Sequence, residues 1–378
     1  MNSNSCRLCR GELFPEPIIH LNGMPKAAQY FPKQNEFAKD KGINLVVCQC
    51  STCGLVQLIQ KPVDYYKKVI TAASFSDKTR ISRLDQIKKF VTVFELQGKK
   101  VIEVGSGKGE MLDILKEANL IPTGIEAGSE SAAIGRSAGR NLVSGYIGDF
   151  NPINGQLFDA FVSLNYIEHQ PDPGLIIQSI GKHTTSNAVG YVTVPNLDYL
   201  LKTGCFYEFV ADHLSYFTKK TLAYAFERNG FDVLKCYTIN EDNDIAAFVK
   251  KKKPLDISAR FKEVETLVIN LQRIVNDYTA RNKKVVVWGA GHRTLALLAL
   301  GQLDKIDCIV DSAKFKQGKY TPVLHLNIVA PEYLIEKKSD LVLVMVPGIY
   351  PDEVVKTLKQ MQVSAEVAVL RGNQLEFV

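Results

Sequence analysis

The stretch that decides the fold is K-K-V-I-E-V-G-S-G-K-G-E-M-L, residues 99–112. An apolar run ends in glycines at Gly105, Gly107 and Gly109, and apolar residues at helical spacing follow from Met111. This order predicts a strand, a tight turn and a helix. Glycines let the backbone approach a ligand closely, and the free N–H groups at the start of the helix face that ligand. A plain turn between a strand and a helix would give the same pattern. Features further along the chain therefore have to distinguish a ligand site from a plain turn.

Three features downstream favour a cofactor site. A second predicted strand ends in Glu126, about 20 residues after the first glycine, where a carboxylate can hold ribose hydroxyls. Asp149 follows a third short apolar segment and would lie near an adenine, and a fourth strand runs into a polar loop at Asn165. Glu103 suits a cofactor that carries an amino-acid cation. Glu110 stands where a dinucleotide fingerprint needs its third glycine.

In this order the motifs resemble class I S-adenosylmethionine-dependent methyltransferases, over about residues 95–235. The resemblance implies an α/β fold with a doubly wound sheet whose loops bind S-adenosylmethionine. The residues predicted to bind the cofactor are Glu103, Gly105, Gly107, Gly109, Glu126, Asp149 and Asn165.

The N-terminal region carries two cysteine pairs, Cys6 with Cys9 and Cys50 with Cys53, and a glycine follows each pair. Paired Cys-x2-Cys knuckles are typical of a tetrahedral structural zinc site, which has no open position for catalysis. Disulfides are the alternative, and a reducing cytosol disfavours them. Cys48 is a spare cysteine that could replace Cys50, although its spacing to Cys53 is less usual.

The composition is that of an ordinary globular protein. The chain has 378 residues, of which 46% are hydrophobic and 23% charged, and this length predicts two or three domains. The formal charge of +6 owes much to one run, 250–253, which we interpret as a solvated strand end. Neither a membrane-length apolar stretch nor a signal-peptide core is evident. We therefore expect a cytoplasmic protein with no membrane or nucleic-acid partner.

The C-terminal part begins a second α/β pattern. Residues 255–282 read as one amphipathic helix that bridges two domains, and K-K-V-V-V-W-G-A-G-H-R-T at 283–294 reads as strand, glycine turn and helix. A nicotinamide cofactor is one hypothesis for this turn, but Thr294 stands in place of a third glycine. The predicted domains are a zinc-binding domain 1–65, a methyltransferase domain 66–253, a bridging helix 254–282 and a Rossmann-like domain 283–378.

A second informative stretch is C-F-Y-E-F-V-A-D-H-L-S-Y-F-T, residues 205–218. Asp212, His213 and Tyr216 stand there among aromatic residues, just before a helix capped by Thr218. They are the candidate catalytic residues. A buried histidine with a purely structural role is the alternative.

Taken together, the chain resembles three-domain sugar C-methyltransferases, which act on nucleotide-linked 4-keto-6-deoxy sugars. The resemblance rests on C-R-L-C, C-S-T-C-G-L-V-Q-L, V-I-E-V-G-S-G-K-G, D-H-L-S-Y-F and V-D-S-A-K-F-K-Q-G-K-Y. In that family the C-terminal sheet helps to shape the sugar-nucleotide pocket, and a Glu-His pair that maps onto Asp212 and His213 supplies the base.

The chain also departs from that family's pattern. Val210 and Ala211 replace a tyrosine and a histidine, an acidic stretch at 240–244 replaces a glycine-rich segment, and a tyrosine-rich and serine-rich segment is reduced to Thr-Ala-Ala-Ser at 71–74. The acidic stretch either favours a substrate with an amine or many hydroxyls or is a solvated hairpin turn.

The sequence thus predicts methyl transfer from S-adenosylmethionine to a nucleotide-linked sugar. A histidine base would form an enolate whose carbon attacks the methyl group. O- or N-methylation of a related sugar and a non-catalytic relative that binds a nucleotide sugar remain as alternatives. The oligomeric state, monomer or homo-oligomer, stays open.

Overall fold

The structure is a computed structural model, which describes residues 5–27, 31–67, 76–149 and 153–378. The segment 71–74, considered above, lies outside the described residues. The chain divides into two compact units, Met1–Lys253 and Pro254–Val378. Among the described helices, none combines the length and the apolar character needed to cross a membrane.

The N-terminal unit is built from two sheets and the helices that flank one of them. Its strands are β1 (Ile19–Met24), β2 (Ile43–Gln49), β3 (Val56–Leu58), β4 (Lys100–Val104), β5 (Ile121–Glu126), β6 (Leu142–Ser144), β7 (Phe158–Leu164), β8 (Thr184–Pro195), β9 (Ser215–Tyr216), β10 (Phe231–Ile239) and β11 (Asp244–Lys251). Its α-helices are α1 (Asp77–Phe94), α2 (Glu110–Glu117), α3 (Ser129–Ser137), α4 (Pro173–Lys182), α5 (Leu197–Thr203) and α6 (Lys219–Arg228).

The larger sheet of this unit has the order β10-β11-β8-β7-β4-β5-β6. The five strands from β8 to β6 run parallel, while β11 pairs antiparallel with β8 on one side and with β10 on the other. Because parallel strands are covered on both faces, they read as nearly continuous apolar runs, and β4 is buried at four of its five positions. One apolar cluster includes side chains of α1 and α2, and another includes side chains of α4 and α6. The predicted doubly wound α/β sheet is confirmed.

The smaller sheet has the order β1-β2-β3-β9 and joins distant parts of the chain. Its strand β9 belongs to the Asp-His stretch, and it pairs antiparallel with β3 through Val56 with Tyr216 and Gln57 with Ser215. The cysteine-rich region and the candidate catalytic loop therefore share one sheet. The predicted boundary at residue 65 stays a prediction.

The C-terminal unit is a second, smaller α/β sheet. Its elements are α7 (Ser258–Ala280), β12 (Val285–Trp288), α8 (His292–Leu300), β13 (Cys308–Val310), β14 (Ile328–Val329), α9 (Tyr333–Glu336), β15 (Leu341–Val344), α10 (Tyr350–Gln360), β16 (Glu366–Arg371) and β17 (Gln374–Phe377). The strand order is β14-β13-β12-β15-β16-β17, with only β17 antiparallel among these strands. Leu267, Leu271 and Val275 of α7 are buried in the core of this unit. The helix predicted to bridge two domains thus packs on the C-terminal sheet.

The acidic stretch at 240–244 connects β10 to β11 as a hairpin. Asn240, Glu241 and Asp242 take left-handed φ values of 51°, 55° and 70°, which asparagine and aspartate tolerate best. The Asp242 carbonyl accepts a hydrogen bond from Asn196, and the Asp242 carboxylate accepts one from Thr238. These contacts favour the interpretation as a turn.

Candidate functional site

The glycine loop after β4 lies at the carboxyl edge of the parallel strands, where open α/β sheets bind ligands. Gly105, Gly107 and Gly109 have φ values of 78°, 56° and 80°, a region that side-chain-bearing residues rarely adopt. A Cβ on Gly105 would lie 2.3 Å from Cδ2 of Tyr166. At this position both the backbone angle and the neighbouring ring require glycine.

Glu126 ends β5 and is 1% exposed. Its Oε2 accepts a hydrogen bond from the backbone N–H of Gly107 at 3.0 Å, and its Oε1 accepts one from the N–H of Gly128 at 2.5 Å. The carboxylate that the sequence predicts to hold ribose hydroxyls therefore holds the glycine loop in place.

Glu103 lies next to the end of β4 and is 5% exposed. Its Oε2 is buried and has no hydrogen-bond partner among the described residues. Burial, together with the nearby carboxylates of Glu110 and Glu126, raises the pKa of Glu103 to about 8. A cation at this position would supply the missing partner.

The remaining two predicted cofactor residues have partners within the protein. The exposed carboxylate of Asp149 forms an ion pair with Lys67 at 3.1 Å. Asn165 accepts a hydrogen bond from Thr193 at 2.7 Å and donates one to Asp244 at 3.2 Å. A cofactor contact by either side chain would have to exchange or share these bonds.

The Asp-His loop is held by its own side chains. Asp212 is buried, and its Oδ1 accepts a hydrogen bond from the Tyr65 hydroxyl at 2.5 Å. The hydroxyl oxygen of Tyr216 accepts a hydrogen bond from the N–H of Val210 at 3.0 Å. Through these contacts Asp212 and Tyr216 position the loop that carries His213.

The structure brings His213 together with two ionisable side chains for which the sequence predicted no role. The ring centroids of His213 and His169 are 4.7 Å apart, and Nε2 of His169 lies 3.9 Å from Oε1 of Glu168. Glu168 and His169 follow β7 in a single 3-10 turn, Ile167–His169. A consecutive Glu-His pair at the carboxyl end of a buried strand was the available signal.

Both imidazoles are held neutral by their surroundings. Burial, together with the neighbouring His169, lowers the pKa of His213 to about 3. Burial also lowers the pKa of His169, although the carbonyl of Asp212 partly opposes this. Burial raises the pKa of Glu168 to about 8.

The four predicted zinc ligands form one cluster. The sulfurs of Cys6 and Cys53 are 3.6 Å apart and those of Cys9 and Cys50 are 3.4 Å apart, distances that exclude disulfides. Backbone N–H groups donate to these sulfurs, as in zinc knuckles. Two sulfurs on one tetrahedral zinc lie roughly 3.8 Å apart, given Zn–S bonds of about 2.3 Å. The donor set therefore fits zinc.

The glycine turn of the C-terminal unit is held by the carboxylate of Asp311. Asp311 follows β13, and its carboxylate accepts hydrogen bonds from the N–H groups of Ala290 and Ala313 at 2.7 and 2.8 Å and from Lys316 at 2.9 Å. The Asp311 carboxylate thus holds the turn in place and is paired with a lysine of the same unit.

Comparison with known families agrees with this geometry. Residues 77–235 match the family model described as "Methyltransferase domain", and residues 250–369 match "C-methyltransferase C-terminal domain". The protein is an S-adenosylmethionine-dependent methyltransferase. The larger sheet of the N-terminal unit is its class I methyltransferase fold, as predicted.

The methyltransferase is similar to several characterised proteins. It is 21% identical to C-methyltransferase NovU of Streptomyces niveus, over 92% of this chain and 91% of that protein. It is 31% identical to the ubiquinone biosynthesis O-methyltransferase of Vibrio vulnificus over 90 residues, which cover 22% of this chain and 38% of that protein. A solved S-adenosylmethionine-dependent methyltransferase from Clostridium acetobutylicum covers 47% of this chain and 94% of its own at 13% identity, with a TM-score of 0.40.

Proposed function

We propose that this methyltransferase transfers a methyl group to a carbon atom of a nucleotide-linked keto-deoxysugar. The observation that carries the proposal is the similarity to a C-methyltransferase along 92% of the chain. The match of residues 250–369 to a C-methyltransferase domain supports it, because it extends to the second unit. The substrate class is taken from the sequence resemblance to sugar C-methyltransferases.

In the proposed reaction a base removes a proton from the carbon next to the sugar's carbonyl. The enolate carbon then attacks the methyl group of the sulfonium, the carbon–sulfur bond breaks, and the sulfur keeps the electron pair as S-adenosylhomocysteine is formed. The proton leaves with the base. We assign this base to His213, since none of the described residues forms a hydrogen bond with its ring. Asp212 and Tyr216 support the assignment because their contacts position the loop.

We propose the predicted cofactor residues as the S-adenosylmethionine site. Glu103 would face the amino-acid cation, and Glu126 the ribose. The glycines would allow close approach of the backbone, and Asp149 and Asn165 would complete the site after exchanging their present partners. We also propose a structural zinc on Cys6, Cys9, Cys50 and Cys53, supported by the fit of the four sulfurs.

The test is incubation with isotopically labelled S-adenosylmethionine and a panel of nucleotide sugars, with mass spectrometry and NMR to locate the methyl group. A methyl on carbon is the expected result. A methyl on oxygen or nitrogen would replace the proposal by the O- or N-methylation alternative. Failure to methylate any nucleotide sugar in the panel would contradict the substrate class.

The base is tested separately. His213→Asn keeps a polar side chain but cannot accept the proton, so turnover should fall by roughly 10²–10⁴-fold while S-adenosylmethionine affinity stays nearly intact. Wild-type protein should also exchange the proton next to the carbonyl in deuterated water, and the variant should not. Substantial turnover by the variant would give this histidine a structural role.

A further inference from the structure

A cavity of about 550 Å³ lies next to the cysteine cluster in the N-terminal unit. Its walls come from three segments: the residues around the first cysteine pair, the loop that follows β3 and the segment that follows β7. Pockets that bind small molecules typically measure about 300–1,000 Å³. The cavity is thus large enough for a small ligand. Its described lining residues include neither the predicted cofactor residues nor the Asp-His loop.

The charged side chains among the described lining residues are all basic. They are Arg7, Arg10 and Lys61. One acid lies next to them, because Asp172 forms an ion pair with Arg10. A single carboxylate against three cations leaves an excess of positive charge along the cavity wall. Such an excess attracts a multiply charged anion.

Arg7 is the buried cation of this wall, with only 8% of the residue exposed. Its guanidinium donates hydrogen bonds to the carbonyls of Leu58 at 3.1 Å, Gln60 at 2.6 Å and Pro171 at 3.3 Å. These bonds use four of its five N–H groups, and the fifth, on Nη1, has no acceptor among the described residues. None of the described carboxylates pairs with it, although buried charges are ordinarily paired. The guanidinium is therefore fixed in place without a carboxylate to balance its charge.

The neighbouring cysteine cluster does not occupy this guanidinium. Within the described part of the chain, the sulfurs of the cluster accept hydrogen bonds from backbone N–H groups. The side chain of Arg7 bonds instead to the carbonyls of the loop after β3 and of the segment after β7. Its remaining donor is thus available to a ligand in the cavity.

We propose that this cavity binds a phosphate or diphosphate group through Arg7, Arg10 and Lys61. Guanidinium groups suit this ligand because they are planar, always charged and able to donate parallel N–H bonds to two phosphate oxygens. Arg10 would be shared between the anion and Asp172, and the exposed Lys61 would add a point charge. Two sources present this chemistry, a free phosphate compound and the diphosphate of a nucleotide-linked molecule. The inference goes beyond the proposed methylation and does not rest on it.

The experiment is isothermal titration calorimetry of the full-length protein with inorganic diphosphate, at low ionic strength and without cofactor or sugar. We expect saturable binding of one diphosphate per chain, which weakens as salt is added. Lys61→Met and Arg10→Met should each lower the affinity roughly tenfold, the usual effect of losing one charge-assisted hydrogen bond. Arg7 is left unchanged because its bonds join three segments of the fold. Circular dichroism checks that each variant is folded.

Two further variants separate a site from an effect of net charge. Lys116→Met removes the same charge from an exposed position of α2 outside the cavity, and it should bind diphosphate as the wild type does. Asp172→Asn should act in the opposite direction. Asparagine caps a helix as well as aspartate does, so the hydrogen bond from the N–H of Leu175 is kept. Removing the negative charge beside Arg10 should tighten diphosphate binding roughly fivefold.

The proposal is overturned if the wild type shows no saturable binding. A loss of affinity in Lys116→Met as large as the loss in Lys61→Met would also overturn it, because net charge would then explain both. Arg7 would in either case serve only to hold the three segments together.

Competition with uridine diphosphate and thymidine diphosphate distinguishes the two sources. If either nucleotide displaces inorganic diphosphate, the site takes the diphosphate of a nucleotide-linked molecule. If neither does, the site takes a free phosphate compound. Because the assay requires no methyl transfer, a protein that fails to methylate sugars can still pass it. The outcome for this site is thus separate from the outcome for the proposed reaction.

Discussion

Replacing Glu126 by glutamine tests whether this carboxylate serves the cofactor as well as the glycine loop. Both of its oxygens accept backbone N–H groups, from Gly107 and from Gly128. In Glu126→Gln one oxygen becomes an NH₂ group that faces an N–H, so one of the two bonds is lost. A hydrogen bond to a charged group contributes about 1.5–3 kcal/mol, and we expect the free energy of unfolding of the N-terminal unit to fall by about that amount.

The effect on the cofactor is a separate quantity. If the carboxylate also holds the ribose, losing that charge-assisted bond costs another ~1.5–3 kcal/mol, which weakens S-adenosylmethionine binding roughly 10- to 100-fold. Isothermal titration calorimetry with S-adenosylmethionine or S-adenosylhomocysteine measures this affinity, and urea unfolding measures the stability.

Asp311→Asn is the matched control. The Asp311 carboxylate accepts two backbone N–H groups in the C-terminal unit, in the same local arrangement as Glu126. The control should lower the stability of its own unit and leave cofactor affinity unchanged. Wild-type affinity in Glu126→Gln would refute the reasoning, since the carboxylate would then support only the loop.

Two further predictions concern the zinc and the charge of Glu103. Protein dialysed against a chelator should retain about one zinc per chain by elemental analysis. Cys53→Ser should lose the zinc and fold in lower yield. Cys48→Ser should keep the zinc, because Cys48 lies outside the cluster. A wild-type protein without zinc would contradict the assignment. Because the pKa of Glu103 is about 8, free protein at pH 7 holds a proton that the cofactor's ammonium group should displace, and affinity should rise with pH up to about 8. Calorimetry of wild-type protein in two buffers of different ionisation enthalpy should therefore give different apparent binding enthalpies. The apparent binding enthalpies of Glu103→Gln should be the same in both buffers. Equal binding enthalpies for the wild type in the two buffers would argue against this contact.

The local elements of this protein were determined by its sequence. The glycine turn could be predicted from the sequence because it depends on a short stretch alone. Apolar periodicity and the left-handed backbone angles of Gly105 and Gly109 are local properties. The zinc site on the four cysteines could be predicted because the spacing within each pair lets both sulfurs bind the same metal ion. The order of strands and helices followed in the same way and predicted the α/β class correctly.

Only the tertiary structure decided which side chains meet. His169 contacts the carbonyl of Asp212 although 43 positions separate them. Asn165, predicted to face the cofactor, bonds to Thr193 and Asp244 in the folded chain. Such contacts depend on how strands pair across the sheets. The pattern of residue types along the chain does not determine that pairing. Among the described residues the Glu168 carboxyl group has no hydrogen-bond partner. Only the folded chain could show this, because burial and missing partners are properties of packing.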